Sequence, residues 1–229
     1  MMLVGQSSSK PIIVWDWIWR NLDGIWAHTL EHVYLTLVAV MVGIAVSIGL
    51  ALFALRWRFV YGPITWTTGI LYTIPSLALF VVLVPITGLS VLTAEIGLVS
   101  YTLLILVRNI VTGIDGVPPE VLEAADGMGY TARSRFLRIE IPLALPVIIN
   151  GIRLATVTVI GLVTVASLIG HGGLGFYILR GLNTFSSPIG TTQIFVGTVL
   201  SIALAVIADL SLVALERAVS PWKRVKVSP

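Results

Sequence analysis

Charged side chains are scarce in this sequence, and a few of them stand where a charge is costly. Arg108, Arg153 and Asp209 each interrupt an otherwise uncharged apolar run. Arg153 lies about ten residues into its run, near mid-depth for a membrane-crossing helix that rises about 1.5 Å per residue. A charge at that depth must face a bundle interior or water. Two readings of Arg153 follow. It is a pathway or gating residue, or it is a strut held by backbone carbonyls or by an ion pair, for instance with Asp209. Arg108, beside Asn109, and Asp209 sit nearer the ends of their runs, where a side chain reaches toward the interface. Pro75-Ser76 interrupts another apolar run. The backbone groups freed there need partners inside the protein or along a water-filled path, which makes Pro75 and Ser76 pathway candidates. Ser76 has no His or Asp constellation to activate it as a nucleophile. His171 precedes Gly172-Gly173-Leu174-Gly175 without a His or Cys neighbour, so it is not read as a metal ligand. No Lys-Ser/Thr follows these glycines, so they form a turn after a helix end and not a phosphate loop.

The elements that position these residues are apolar spans. The chain has 229 residues, 57% hydrophobic and 11% charged, with a mean hydropathy of +1.00. Soluble domains carry about 25% charged residues. This balance excludes a disordered chain and a nucleic-acid-binding domain, and it points to an all-α integral membrane protein. With no cysteine there is neither a disulfide framework nor thiolate chemistry. A crossing helix needs about 20 apolar residues. Five spans are predicted, at 33–55, 62–84, 96–114, 143–170 and 193–215. The second is expected to kink near Pro75, with Pro85, Gly88 and Ser90 marking a turn and loop after it. The small residues Ala39, Gly43, Ser47 and Ala51, and likewise Gly197, Ser201 and Ala205, recur every four positions. They suit close helix packing within the bundle or against a second subunit.

The segments after the first, third and fifth spans hold Arg56, Arg58, Arg108, Arg133, Arg135, Arg138, Arg217, Lys223, Arg224 and Lys226, ten of the 14 Lys and Arg residues. The positive-inside rule then places the N-terminus outside and the C-terminus in the cytoplasm. No cleaved signal peptide is indicated, so the first long apolar run reads as an uncleaved anchor. Residues 1–31 read as an extracytoplasmic leader, either an interfacial helix carrying Trp15, Trp19 and Trp26 or a simple flexible segment. Residues 32–217 form the transmembrane domain, and 218–229 a cytoplasmic tail.

The one long polar cytoplasmic loop is 115–140. Pro118-Pro119-Glu120 suits a helix start. A short helix is expected over Val121 to Asp126, then a break at Gly127-Met128-Gly129. A second helix is expected over Ala132 to Arg138 with Thr131 as N-cap. Pro142 is expected to begin the fourth span. The loop exposes Leu122, Met128, Tyr130 and Phe136 among charges, a shape that fits a partner's groove or rests against its own bundle.

Glu123-Ala124-Ala125, Gly129 after three further residues, and Ile139-Glu140-Ile141-Pro142 after nine more resemble the EAA loop of ATP-binding-cassette importer permeases, with Ile141 where that pattern has leucine. Tyr72 to Leu79, Arg108-Asn109, Asn150 to Val157 and Leu168 to Gly175 are similar to segments of the quaternary-amine permeases (glycine betaine, carnitine, choline), in part shared with methionine-importer permeases. The resemblance runs from about His32 onward. It departs at Ala132, where that family often has proline, and at His171, where a small residue is common.

The resemblance implies a type I importer transmembrane fold in a bacterial or archaeal plasma membrane. Glu123, Ala124, Ala125, Met128, Gly129, Tyr130, Phe136, Ile139 and Pro142 would then dock a cytoplasmic ATPase. Pro75, Ser76, Arg108, Asn109, Arg153, Asp209, Gly172, Gly173 and Gly175 would be the pathway and gating candidates. It further implies a substrate-binding protein, a second permease copy or paralogue, ATP and Mg bound only by the ATPase, and no catalysis and no cofactor in this chain. Arg153 would meet a betaine carboxylate sooner than its cationic end. No aromatic cage is evident in the spans. A methionine or other amino-acid importer and an ion-coupled transporter are the alternatives.

Overall fold

The structure is a computed structural model that describes residues 13–220. The start of the leader (with Lys10) and the tail residues Lys223, Arg224 and Lys226 lie outside the described residues. Ten α-helices are seen among the described residues: α1 Trp15–Arg20, α2 Leu22–Arg56, α3 Tyr61–Thr73, α4 Ser76–Thr87, α5 Val91–Asp115, α6 Pro119–Gly127, α7 Ala132–Arg135, α8 Ile141–Ala166, α9 Gly175–Asn183 and α10 Pro188–Val219. Four segments are long and apolar enough to cross a membrane: α2, α5, the run from α7 through α8, and α10. The α3–α4 pair supplies a fifth if it is taken as one broken span.

The first span is longer than the uncharged run. At about 1.5 Å per residue, the 35 residues of α2 extend about 50 Å, well past a hydrocarbon core of about 30 Å. Its first turns are polar yet packed. Ile25 forms a small cluster with Tyr177 of α9 and Val196 of α10. The Trp17 ring meets Tyr177 edge-on at 5.8 Å, and the Val14 amide donates to Thr192 Oγ1 at 2.9 Å. Burial pushes the Tyr177 phenol above its ordinary range, against a smaller lowering by Arg180. The leader residues from Trp15 onward are thus helical and pinned to α9 and α10, while Trp15, Trp19 and Trp26 stay exposed.

The second span departs most from expectation. α3 and α4 meet at 97°, a near right angle and not a kink. Pro75 cannot donate to the helical ladder, and Ile74 and Pro75 both take extended backbone. The expected turn at Pro85 is also displaced. Pro85 lies inside α4, and the chain reverses at Gly88, whose φ of 73° favours glycine. Ser90 then caps α5 by accepting the Thr93 amide. Residues 85–95 are therefore mostly helical.

α5 is the central helix. Ala94 and Leu98 pack with Leu35, Ala39 and Val40 of α2, Phe80 of α4 and Val159 and Val163 of α8. Ala39, Gly43, Ser47 and Ala51 are all buried inside the bundle, and a Cβ added at Gly43 would stand 2.1 Å from Thr102 Oγ1. That stripe serves internal packing. In α10 only the first half is similarly held, through Gly197 and Ser201; beyond it no side chain of the helix is buried.

Candidate coupling loop and translocation pathway

The loop begins as expected, with Pro118 and Pro119 opening α6 and Glu120 in its first turn. Ala125 is buried, whereas Glu123, Ala124 and Met128 are exposed. Gly129 takes φ +83°, a left-handed conformation that a side chain disfavours. Tyr130 follows, half-buried, its amide donating to the Ala125 carbonyl at 3.2 Å. Thr131 caps the next helix through the Ser134 amide, as its residue type predicts.

The expected separate helix Ala132 to Arg138 and the expected start at Pro142 are both corrected. α7 runs through a π-helical stretch, Phe136–Glu140, directly into α8. The wide turn lies just ahead of Pro142, where the missing N–H and the ring would disturb a regular α-turn. Phe136, Ile139 and Pro142 are half-buried along this continuous helix. Arg135 stands at its start and joins the two arms of the loop. Its Nη1 donates to Asp126 Oδ2 of α6 at 2.5 Å and its Nε to Glu140 Oε1 at 3.0 Å. At the root of the loop, Arg58 grips Asp115 with two hydrogen bonds of 2.6 and 2.7 Å. Neither clamp was legible in the linear sequence, because each joins residues whose proximity depends on a turn.

Among the pathway candidates, Arg153 and Asp209 come together across α8 and α10. Arg153 Nε and Nη2 donate to the Asp209 carboxylate at 2.9 and 3.1 Å. Glu216 Oε2 lies 3.8 Å from Nη1. The pair lines an open cavity of about 400 Å³ with Asn150, Leu154, Val157 and Val206. This is the strut geometry, placed at a cavity wall. Asn109 has a packing place: its amide donates to the Ile105 carbonyl at 2.8 Å, and its Cβ would lie 2.4 Å from a Cβ on Gly151 of α8. Arg108, one residue away, is exposed and borders a different cavity, beside α3.

Pro75 and Ser76 form the corner between α3 and α4. The carbonyl freed there, on Ile74, accepts a hydrogen bond from the Tyr101 hydroxyl of α5. Tyr101 was not singled out from the sequence; a lone phenol in an apolar run gives little signal until its partner is known. Gly172, Gly173 and Gly175 are buried. A Cβ on Gly173 would stand 2.6 Å from His32 Cβ of α2, and one on Gly175 2.3 Å from the Thr164 carbonyl of α8. These glycines fold the connection tightly back against the bundle. The nine-residue α9 that follows is too short for a span and was not anticipated.

This architecture has known counterparts. Residues 33–221 match the family described as binding-protein-dependent transport system inner membrane component. The glycine betaine/carnitine/choline transport system permease protein OpuCB of Bacillus subtilis (strain 168) is 39% identical over 193 residues, covering 84% of this chain and 87% of that protein. The osmoprotectant import permease protein OsmW of Salmonella typhimurium is 35% identical over 198 residues, covering 84% and 90%. A chain of the inward-facing MetNI methionine ABC transporter superposes with a TM-score of 0.72 at 20% identity, over 88% of this chain and 97% of that one. That identity carries the fold alone. The chain therefore belongs to the family of inner-membrane components of binding-protein-dependent transport systems, as a multi-pass ABC permease with the type I importer fold.

Proposed function

We propose that this chain is the membrane-spanning subunit of an ATP-driven importer of osmoprotectants of the glycine betaine, carnitine and choline class. The observation that carries this reading is the 39% identity to a glycine betaine/carnitine/choline permease over 84% of the chain. The chain supplies half of a substrate pathway, the other half coming from a second copy or a paralogue. It performs no catalysis. ATP and Mg bind cytoplasmic ATPase subunits, and an extracytoplasmic binding protein delivers substrate. The N-terminus lies outside and the C-terminus in the cytoplasm, which puts α6 on the ATPase side.

Residues Glu123, Ala124, Met128, Gly129 and Tyr130 form the docking surface, with Ala125 buried behind it. ATP-driven closure of the ATPases pulls this surface inward. The Arg135 clamp ties α6 to the continuous α7–α8 helix, so loop movement is passed to α8 as a rigid body. That biases the permease between inward- and outward-open states by differential binding. Phe136, Ile139 and Pro142, half-buried along the continuous helix, join the docking surface to α8.

The test is reconstitution with the ATPase and binding protein in liposomes, measuring ATP-dependent glycine betaine uptake. Glu123→Ala and Gly129→Val are expected to lower uptake at least tenfold and to weaken ATPase association. Wild-type levels of both in these variants would remove the docking assignment. Uptake driven by an ion gradient without ATPase would remove the importer reading itself.

A further inference from the structure

Arg153 and Arg108 each lie well inside a spanning helix, and the structure treats them differently. Arg153 is neutralised by Asp209, with Glu216 near. Arg108 is exposed, and among the described residues it has no carboxylate partner. An uncompensated charge in a spanning helix faces water or an anion, not lipid tails. The cavity it borders, about 540 Å³ between α3 and α5, carries two aromatic residues, Trp66 and Tyr72. Its walls include Thr65, Trp66, Tyr72, Thr73 and Leu104. Gly62 and Gly69, on the same stretch of α3, leave its floor without side chains.

The register of the two antiparallel helices shows how these groups align. At one end Tyr101 of α5 bonds the Ile74 carbonyl. At the other, the cluster containing Val107 and Ile110 packs Tyr61 and Ile64. Arg108 therefore stands level with Thr65 and Trp66. Tyr72 lies six residues beyond Trp66, about 9 Å along the helix axis. Its ring is set edge-on against Tyr101 at 5.8 Å, which holds it in place. Trp66 is 72% exposed and presents its ring openly.

We propose that this groove is a transit subsite for a zwitterionic trimethylammonium carboxylate, a betaine. The inference rests on the osmoprotectant reading above and deepens it. Arg108 takes the carboxylate through its planar fork of donors. Trp66 faces the trimethylammonium group through its π-cloud, and Tyr72 offers the next such face further along. A choline-type substrate, with a hydroxyl in place of the carboxylate, engages only the aromatic part.

The permease–ATPase complex, without binding protein, is placed in nanodiscs of phosphatidylethanolamine and phosphatidylglycerol, which carry no trimethylammonium group. It is titrated with glycine betaine or choline while saturation transfer to the N-methyl protons is read. Betaine is expected to bind saturably and more tightly than choline. Arg108→Gln is expected to weaken betaine about tenfold with choline unchanged. Arg108→Lys should recover part of the loss, and Trp66→Leu should weaken both ligands. If Arg108→Gln does not assemble with the ATPase, Arg108→Lys and Trp66→Leu carry the comparison. Equal betaine affinity in wild type and the arginine variants overturns the subsite and leaves Arg108 serving a lipid phosphate. Equal losses for betaine and choline also overturn it. Uptake by the wild-type importer with its binding protein is measured in parallel. Betaine uptake without groove binding sinks only the subsite, whereas no betaine uptake sinks the osmoprotectant reading.

Discussion

If the Arg153–Asp209 pair is what fastens the lower half of α10 to α8, removing either side should loosen α10, and the two losses should not be equal. The pair makes two charge-assisted hydrogen bonds at 2.9 and 3.1 Å, and its side chains are 25% and 36% exposed. Fully exposed ion pairs contribute about 0–1 kcal/mol. Breaking a fully buried one costs about 3–5 kcal/mol. This intermediate exposure places the cost at about 2–3 kcal/mol. Asp209→Asn leaves Arg153 with Glu216 at 3.8 Å as a second partner, so it belongs at the lower end. Arg153→Met leaves the Asp209 carboxylate at the cavity wall without its cation and belongs at the upper end. At about 2–4 °C per kcal/mol for a chain of this size, Arg153→Met lowers the apparent Tm by about 6–12 °C. The assay is thermal unfolding of the permease–ATPase complex in nanodiscs, for both single variants and the double variant Arg153→Met/Asp209→Leu. The double variant should be less damaged than the sum of the singles, by about 1–2 kcal/mol. Additive losses, or a larger loss from Asp209→Asn than from Arg153→Met, would refute the strut and return Arg153 to the gating role.

Two other perturbations follow from the same geometry. Tyr101→Phe strips the Ile74 carbonyl of its donor at the α3–α4 corner and should cost about 1–3 kcal/mol, read as a lower unfolding temperature. An unchanged temperature would mean that the corner is satisfied by another group. Arg135→Gln cuts the tie between α6 and the α7–α8 helix. ATP hydrolysis should continue while uptake per ATP hydrolysed falls several-fold; a preserved ratio removes Arg135 from force transfer.

Much of this protein was readable from local residue chemistry. The apolar runs, the Gly129 turn and the Thr131 cap depend on neighbours a few positions away, and each is found where its residue types place it. The EAA-type spacing was readable for the same reason, since it lies within one loop. The extent of the elements was less legible. α2 begins eleven residues before the apolar run, at Leu22, because contacts with Tyr177 and Val196 hold its polar first turns. A proline announces a break but not its angle, and the carbonyl left open at the 97° corner finds its donor, Tyr101, on another helix.

The sequence by itself determined that this chain crosses a membrane and where its long polar loop lies, because hydropathy and short-range spacing are properties of the chain order. Only the tertiary structure decided which charges are neutralised. Arg153 and Asp209 are 56 residues apart and meet only once α8 and α10 pack. Trp66, Tyr72 and Arg108 are likewise scattered along the chain, and the antiparallel register of α3 and α5 sets them around one groove. A charge in a membrane takes its meaning from what faces it, and that is fixed by packing.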